Sequence, residues 1–293
     1  MKKIQLLLSL LFFNFTTVYT MHKAKNFTLI TVLYNEKNEK RVQEYLTCLE
    51  KNRAHKKIAS IHVVYDTSKD TETEKKTILN KLNEEHITIT YIDSRPTYQF
   101  CFDIANAYYP DSKIILANAD IYFDETLSLL DDYDLEGKFL ALTRWDQQSN
   151  TTCYIHGIKI HPEESYSQDT WIFKTPIDFP NSNILIGIPG CDTAIAYYAK
   201  ENNFTVLNSC LSIKTHHLHE SEIRNYDNSF KYPNETFLTT PYVLLSKVFD
   251  KGFRACMKRK KEEEKTKEII SEQIKKLAKL AFFTNVKKHS IFW

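Results

Sequence analysis

The sequence predicts an α/β protein built on a mostly parallel sheet flanked by helices, and three observations carry that expectation. Apolar runs of strand length alternate with amphipathic stretches from Phe27 onward, the rhythm of successive βαβ units. One run, Ile114 to Ala117, is continuously apolar, as suits a parallel strand buried on both faces. Polar residues enter where three of the runs end, at Tyr34-Asn35-Glu36, Tyr65-Asp66-Thr67-Ser68 and Asn118-Ala119-Asp120.

Taken in order, Phe27 to Leu33 reads as the first strand, with a helix around Val42 to Leu49. A strand at Ile58 to Tyr65, a helix around Lys75 to Leu82 and a strand at Ile87 to Ile92 follow. Tyr98 to Tyr109 reads as the next helix, leading into the strand Ile114 to Ala117. The middle of the chain alternates less cleanly. It carries strand-like Phe139–Leu142, Trp171–Phe173, Ile184–Ile186 and Leu211–Ile213, with a helix near Thr193 to Glu201. Beyond about Asn225 the character changes to a charge run, Lys258 to Lys267, and a helix with Ile270, Ile274, Leu277 and Ala281 on one side and Lys275, Lys276 and Lys279 on another. The domain reading is therefore a signal at 1–20, one globular domain at 25–225 and a C-terminal extension at 226–293.

The signal rests on Met1-Lys2-Lys3, the apolar stretch Ile4 to Phe13, and a polar end with Val18 and Thr20. The apolar run falls short of the ~20 residues that span a bilayer, so export is expected, with an uncleaved membrane anchor as the alternative. Export permits disulfides among the six cysteines, whose spacing suits neither a zinc ribbon nor a redox pair; buried free thiols are the other reading. A net charge of +2, from 39 basic and 37 acidic residues, gives the body of the protein no reason to seek nucleic acid. The basic C-terminal helix suits peripheral contact with an anionic membrane, or packing on its own domain.

Ligands of parallel α/β sheets bind at the carboxyl ends of strands, so the three polar strand ends are expected to converge on one crevice. Singly, Asn35 and Asp66 also suit turns and caps. Asp120 follows a fully buried strand, where an unpaired carboxylate is costly and a cation-bound one is not. Mg2+ or Mn2+ prefers oxygen ligands and leaves positions open for phosphate oxygens. Asp124 reads as a helix cap before Glu125. In an extended segment His217 and His219 face one side and His216 the other, and one imidazole is expected to join Asp120 at a shared cation.

At Leu29-Ile-Thr-Val-Leu-Tyr-Asn35, Val63-Val-Tyr-Asp-Thr-Ser-Lys-Asp70 and Asn118-Ala-Asp120, the sequence resembles the GT-A nucleotide-diphospho-sugar glycosyltransferases, in particular their large inverting, family 2-like group. The order and spacing agree over roughly Asn26 to Asp124, with Asn118 standing where the metal motif usually begins with Asp. The resemblance implies a GT-A-like, Rossmann-related fold, and a donor site including Tyr34, Asn35, Asp66, Asn118 and Trp171. It also implies that Asp66 contacts base or ribose, that Asn118 touches the ribose, and that Asp120 holds a metal bridging the diphosphate. In several such enzymes a glycine-preceded acidic residue is the base and a later His completes the metal shell.

Glycosyl transfer needs the acceptor hydroxyl to lose a proton as its oxygen attacks. Asp192 is the leading candidate base, behind a tight loop of Gly187, Pro189 and Gly190, with a helix cap as its alternative role. Asp169, beside Gln168 and Trp171, is the substitute base or a donor-sugar contact. Trp145 and Trp171 suit either sugar stacking or the core. The function expected is metal-dependent transfer of a sugar from a nucleotide-sugar donor to a glycan or glycoconjugate acceptor. A metal-dependent hydrolase and a secreted carbohydrate-binding module are the alternatives.

Overall fold

The structure, a computed structural model, describes residues 27–70, 82, 87–148, 152–221, 232 and 238–245. The signal at 1–20, most of the helix expected around Lys75 to Leu82, and the basic C-terminal helix lie outside the described residues. Among those described, no helix is long and apolar enough to cross a membrane.

The chain runs β1 (Phe27–Tyr34), α1 (Glu39–Ala54), β2 (Ile58–Asp66), β3 (Ile87–Ile92), α2 (Tyr98–Tyr108) and β4 (Lys113–Ala117). It continues through β5 (Ile121–Phe123), β6 (Lys138–Leu142), β7 (Trp145–Gln148), β8 (Thr152–Ile155), β9 (Glu164–Ser165) and β10 (Thr170–Lys174). It closes with α3 (Cys191–Glu201), β11 (Thr205–Leu207), β12 (Thr215–His217) and β13 (Thr240–Pro241). Seven strands form the main sheet in the order β11-β6-β10-β4-β1-β2-β3. Its pairings are parallel except at β10, which runs antiparallel to both β4 and β6.

Strand alternation sorts the core into two layers. Leu29 and Leu33 of β1, Val63 and Tyr65 of β2 and Ile115 of β4 point to one face, where Val42, Tyr45 and Leu49 of α1 cover them. Ile30, Val64, Ile114, Leu116, Trp171 and Phe173 point to the other, under Tyr98, Phe102 and Ala105 of α2 and Ala194, Ile195 and Ala199 of α3. Both faces are buried, which is why the central strands read as unbroken apolar runs. The sheet is thus mostly parallel and helix-covered on both sides, as the sequence predicts.

Local chemistry sets the helix starts. The Asn38 side chain accepts from the Arg41 amide at the head of α1, and Thr97 accepts from the Phe100 amide at the head of α2. Ahead of α3 stands Gly190, at φ 83°, a left-handed conformation that glycine adopts freely. Because Gly190 occupies the cap, α3 begins at Cys191 rather than Thr193, and Asp192 lies in its first turn instead of capping it.

Two expected strands are absent. Ile184–Ile186 crosses the head of α2, where Ile184 and Ile186 exchange backbone hydrogen bonds with Tyr98 and Pro96 and Leu185 forms an isolated bridge to Thr97. Leu211–Ile213 turns back on Ser209, and the strand begins later, at Thr215. In both segments the apolar residues are there to fill core, since Ile184 and Ile213 are fully enclosed. Trp145 is likewise a core residue, its indole N–H donating to the Cys210 carbonyl at 2.9 Å. Cys48, Cys101, Cys191 and Cys210 are buried free thiols.

Candidate active site

The sheet register gathers the polar strand ends. Tyr34 of β1 pairs with Asp66 of β2, and Thr31 pairs with Ala117 of β4, so Asn35, Asp66 and Asn118 emerge along one edge. Antiparallel β10 starts at that edge, and the Asn118 amide donates to the Asp169 carbonyl at 3.1 Å. The edge forms a cleft of about 720 Å³. Tyr34, Asn35, Asp66, Asn118, Asp120, Asp169, Trp171, Asp192, His217 and His219 all line it.

A second sheet, β5-β12-β7-β8, builds one wall of the cleft. β12 pairs with β5, and the Leu218 amide donates to the Asp120 carbonyl at 2.9 Å, which fixes the histidine segment against the end of β4. His217 Nε2 lies 3.1 Å from Asp120 Oδ2, and its Nδ1 lies 2.7 Å from Asp146 Oδ1. The rings of His217 and His219 meet at 5.3 Å, whereas His216 turns away to Asp124 at 2.8 Å. Asp124 also accepts from the Thr126 amide and caps the short turn of helix that follows.

Asp120, His217 and His219 each offer one ligand atom within 4.8 Å of the others. Asp120 Oδ1 and His219 Nε2 are buried and have no partner among the described residues, so two lone-pair atoms are open to an ion. A carboxylate oxygen and an imidazole nitrogen suit a borderline divalent cation, whereas both ring nitrogens of His217 are engaged by Asp120 and Asp146. The other oxygen is not free, however: Asp120 Oδ2 is ion-paired with Arg41 Nη2. A carboxylate this deeply buried needs a counter-charge, and α1 supplies one, pinned beside β5 by Asn52, which bonds both Ile121 and Phe123.

Burial alone would raise the Asp120 carboxyl, but His217 and Arg41 outweigh it and hold it well below the usual carboxylate range. For His217, burial disfavours the charged ring, yet Asp120 and Asp146 prevail and push it up to about 9. Burial leads the opposite shift in His219, downward, favouring the neutral imidazole that ligates metals.

On the opposite wall, Asp192 Oδ2 accepts from the Gln168 amide at 2.9 Å. Burial, reinforced by the neighbouring charge of Asp169, pushes its carboxyl up to about 6 against the hydrogen bonds that lower it. Asp169 is held differently. Arg144 Nη1 reaches both its oxygens, at 3.1 and 3.0 Å, and Asn118 Nδ2 donates at 3.0 Å. With both oxygens engaged, Asp169 is a poor substitute base, and Asn118 is committed to positioning it.

Arg144 ties the two walls together, because its Nε also donates to Asp146 at 2.9 Å, the residue that orients His217. His156 Nδ1 joins Asp146 at 2.7 Å. The remaining rim is basic, with Lys37, Lys69 and Arg95 facing the cleft. Gly187, at φ 76°, keeps its loop tight while its carbonyl accepts from Arg95 at 3.0 Å. Asp66 caps the following turn through Ser68 as well as lining the cleft. Trp171 does not offer a stacking face: it is 2% exposed and packs edge-on against Tyr98 at 4.8 Å. Its indole nitrogen, Asn35 Nδ2 and Gln168 Oε1 are further buried polar atoms with no partner among the described residues.

Arg41, Glu44, Arg144, Asp146, His156 and Gln168 are absent from the sequence-based site. Arg144 had a readable signal, since it follows the apolar run of β6 just as Asp120 follows that of β4. Arg41, Glu44 and Tyr45 had a weaker one, polar groups three and four residues apart on one helix face.

No family model matches the sequence, and no curated protein matches it. Among solved structures, the chain is similar to S. aureus TarS at 18% identity and a TM-score of 0.41, covering 67% of this chain and 37% of that one. It is similar to S. aureus TarS 1-349 in complex with UDP-GlcNAc at 16% identity and a TM-score of 0.41, covering 69% and 62%. It is also similar to the mannosyltransferase PcManGT from Pyrobaculum calidifontis, in complex with GDP-Man and Mn2+, at 14% identity and a TM-score of 0.40, covering 62% and 54%. The chain thus spans less than two thirds of the length of each of these proteins.

Proposed function

We propose that this chain is a glycosyltransferase that moves a sugar from a nucleoside-diphosphate donor to a hydroxyl of a glycan or glycoconjugate, with Mn2+ or Mg2+ held at Asp120. The observation that carries the reading is a single cleft with a carboxylate–imidazole group on one wall and a carboxylate raised to about 6 on the other. The first suits a cation that accompanies a diphosphate. The second suits removal of a proton near neutral pH.

Asp120 and His219 would hold the cation, His217 would join them once its Nε2 gave up its proton and its bond to Asp120 Oδ2, and Asp146 keeps the His217 ring oriented. A bound divalent cation supplies positive charge against the departing diphosphate. Asp66 and Asn35 receive the nucleoside, while Lys69 and Arg95 add charge for the phosphates. Asp192 takes the acceptor proton, and Gln168, whose amide holds Asp192 Oδ2, fixes the direction of that carboxylate. A carboxylate that deprotonates the acceptor during a single displacement inverts the anomeric carbon. The apolar floor beneath, with Leu116 and Trp171, limits competition from water. With the signal expected at 1–20, the reaction belongs to an exported or secretory protein.

Supporting groups are expected to matter as much as ligands. Asp146→Asn should weaken Mn2+ binding about 10–100-fold, the usual cost of removing the partner that orients a ligating imidazole. Titration followed by the electron paramagnetic resonance of free Mn2+ measures it, and an unchanged affinity would remove Asp146 from this role. The function itself is tested with a panel of UDP- and GDP-sugars and glycan acceptors, read as nucleotide release. Acceptor-stimulated release that stops on chelation supports transfer. Sugar freed to water regardless of acceptor would indicate a hydrolase instead.

A further inference from the structure

Asp120 already has a cationic partner, and that partner is firmly braced. The Arg41 guanidinium that holds Asp120 Oδ2 also gives Nη1 to Glu44 at 2.7 Å and Nε to the Tyr45 hydroxyl at 3.1 Å. Glu44 is fixed in turn by the amide and hydroxyl of Ser221, at 2.7 and 3.1 Å. Arg41 is 7% exposed, with its charged carbon 4.6 Å from the Tyr45 ring. Yet Asp120 Oδ1, on the same carboxylate, and the neighbouring His219 Nε2 stand without partners among the described residues. The site therefore holds both an intact ion pair and vacant ligand atoms.

These two features conflict. A divalent cation that takes Oδ2 must break the ion pair and displace His217 Nε2 from the same oxygen, and one that takes Oδ1 sits beside a guanidinium in a poorly solvated pocket, where like charges repel strongly. A diphosphate relieves both difficulties, because it gives the cation more oxygen ligands and gives Arg41 Nη2 a new anionic partner. We propose that Arg41 competes with the divalent cation for Asp120, keeping the empty cleft's cation affinity low until a phosphate-bearing donor arrives, so that cation and donor load together. The inference rests on the assignment of Asp120 as cation ligand.

The test is Mn2+ affinity of the full chain, measured by electron paramagnetic resonance alone and with UDP or GDP. Wild type should bind Mn2+ at least about tenfold more tightly with one of the nucleotides than without. Arg41→Gln should bind Mn2+ alone about tenfold more tightly than wild type, with the nucleotide effect reduced to match, and Arg41→Lys, which keeps the charge, should stay near wild type. Arg41→Gln/Glu44→Gln removes both charges of the helix pair and should behave as Arg41→Gln does, covering the case in which an unpaired Glu44 unfolds the single variant. If neither Gln variant folds, wild-type binding that no nucleotide strengthens overturns the proposal. Mn2+ binding that Asp120→Asn abolishes but Arg41→Gln leaves unchanged overturns the competition while keeping the cation at Asp120. Binding indifferent to Asp120→Asn overturns both.

Discussion

Asp192→Asn is expected to lower kcat about 10^2–10^4-fold while leaving sugar-nucleotide affinity near wild type, the usual range for removing a general base. Asn keeps the shape of the side chain and can still accept from the Gln168 amide, so the first turn of α3 should stay in place. What it cannot do is take the acceptor proton. In wild type the rate should climb with pH through about 6, where the Asp192 carboxyl loses its proton, and that limb should vanish in the variant. Stability should move the other way. Because the folded-state value lies above the unfolded one, near 3.8, the protonated side chain contributes stability that is lost as pH rises through about 6. The neutral Asn therefore should not lower the melting temperature at pH 7, and a large drop there would mark Asp192 as structural. Kinetics across pH 5 to 8 with donor binding measured separately checks all three outcomes.

Asp120→Asn should reduce transfer by about a thousandfold, as expected if several kcal/mol of charge stabilisation is lost at tenfold per about 1.4 kcal/mol. Added Mn2+ should restore little, since the vacant ligand atom has lost its charge. Asp120→Ala is a different experiment. It leaves Arg41 Nη2 buried with nothing at position 120 to accept from it, while Nη1 keeps Glu44, so a folding cost is expected that Asp120→Asn, whose amide oxygen can still accept, reduces. Comparing the two variants by denaturant midpoint and by turnover separates the ion pair's structural share from the cation's. Equal activity in Asp120→Asn and wild type would mean that the carboxylate serves the fold alone.

The strand ends that build this cleft were legible because burial on both faces leaves a residue signature: apolar without a break, then abruptly polar. Asn35, Asp66 and Asn118 all announce themselves so, and the parallel register brings them together. The direction of β10 carries no such signature. Nothing local in Thr170–Lys174 says that it runs against β4, yet that reversal is what brings Asp169 and Gln168 to the same edge. The ion pair of Arg41 with Asp120 joins residues 79 positions apart and leaves no periodic trace. Apolar content also misled. Ile184–Ile186 and Leu211–Ile213 look like short strands, but short apolar runs serve loops that plug a core equally well. The facing of His216, His217 and His219 is legible because alternation in an extended segment is local, while the start of their strand at Thr215 is not, because it is set by pairing in the second sheet.

Anomalous diffraction from crystals soaked in Mn2+ with UDP or GDP decides whether a divalent cation sits on Asp120 beside a nucleoside diphosphate. An anomalous peak is expected at bonding distance, about 2 Å, from Asp120 Oδ1, with His219 Nε2 beside it and phosphate oxygens completing the shell. A peak elsewhere, or nucleotide seated in the cleft with Arg41 still closed on Asp120 and no anomalous signal, would contradict that placement.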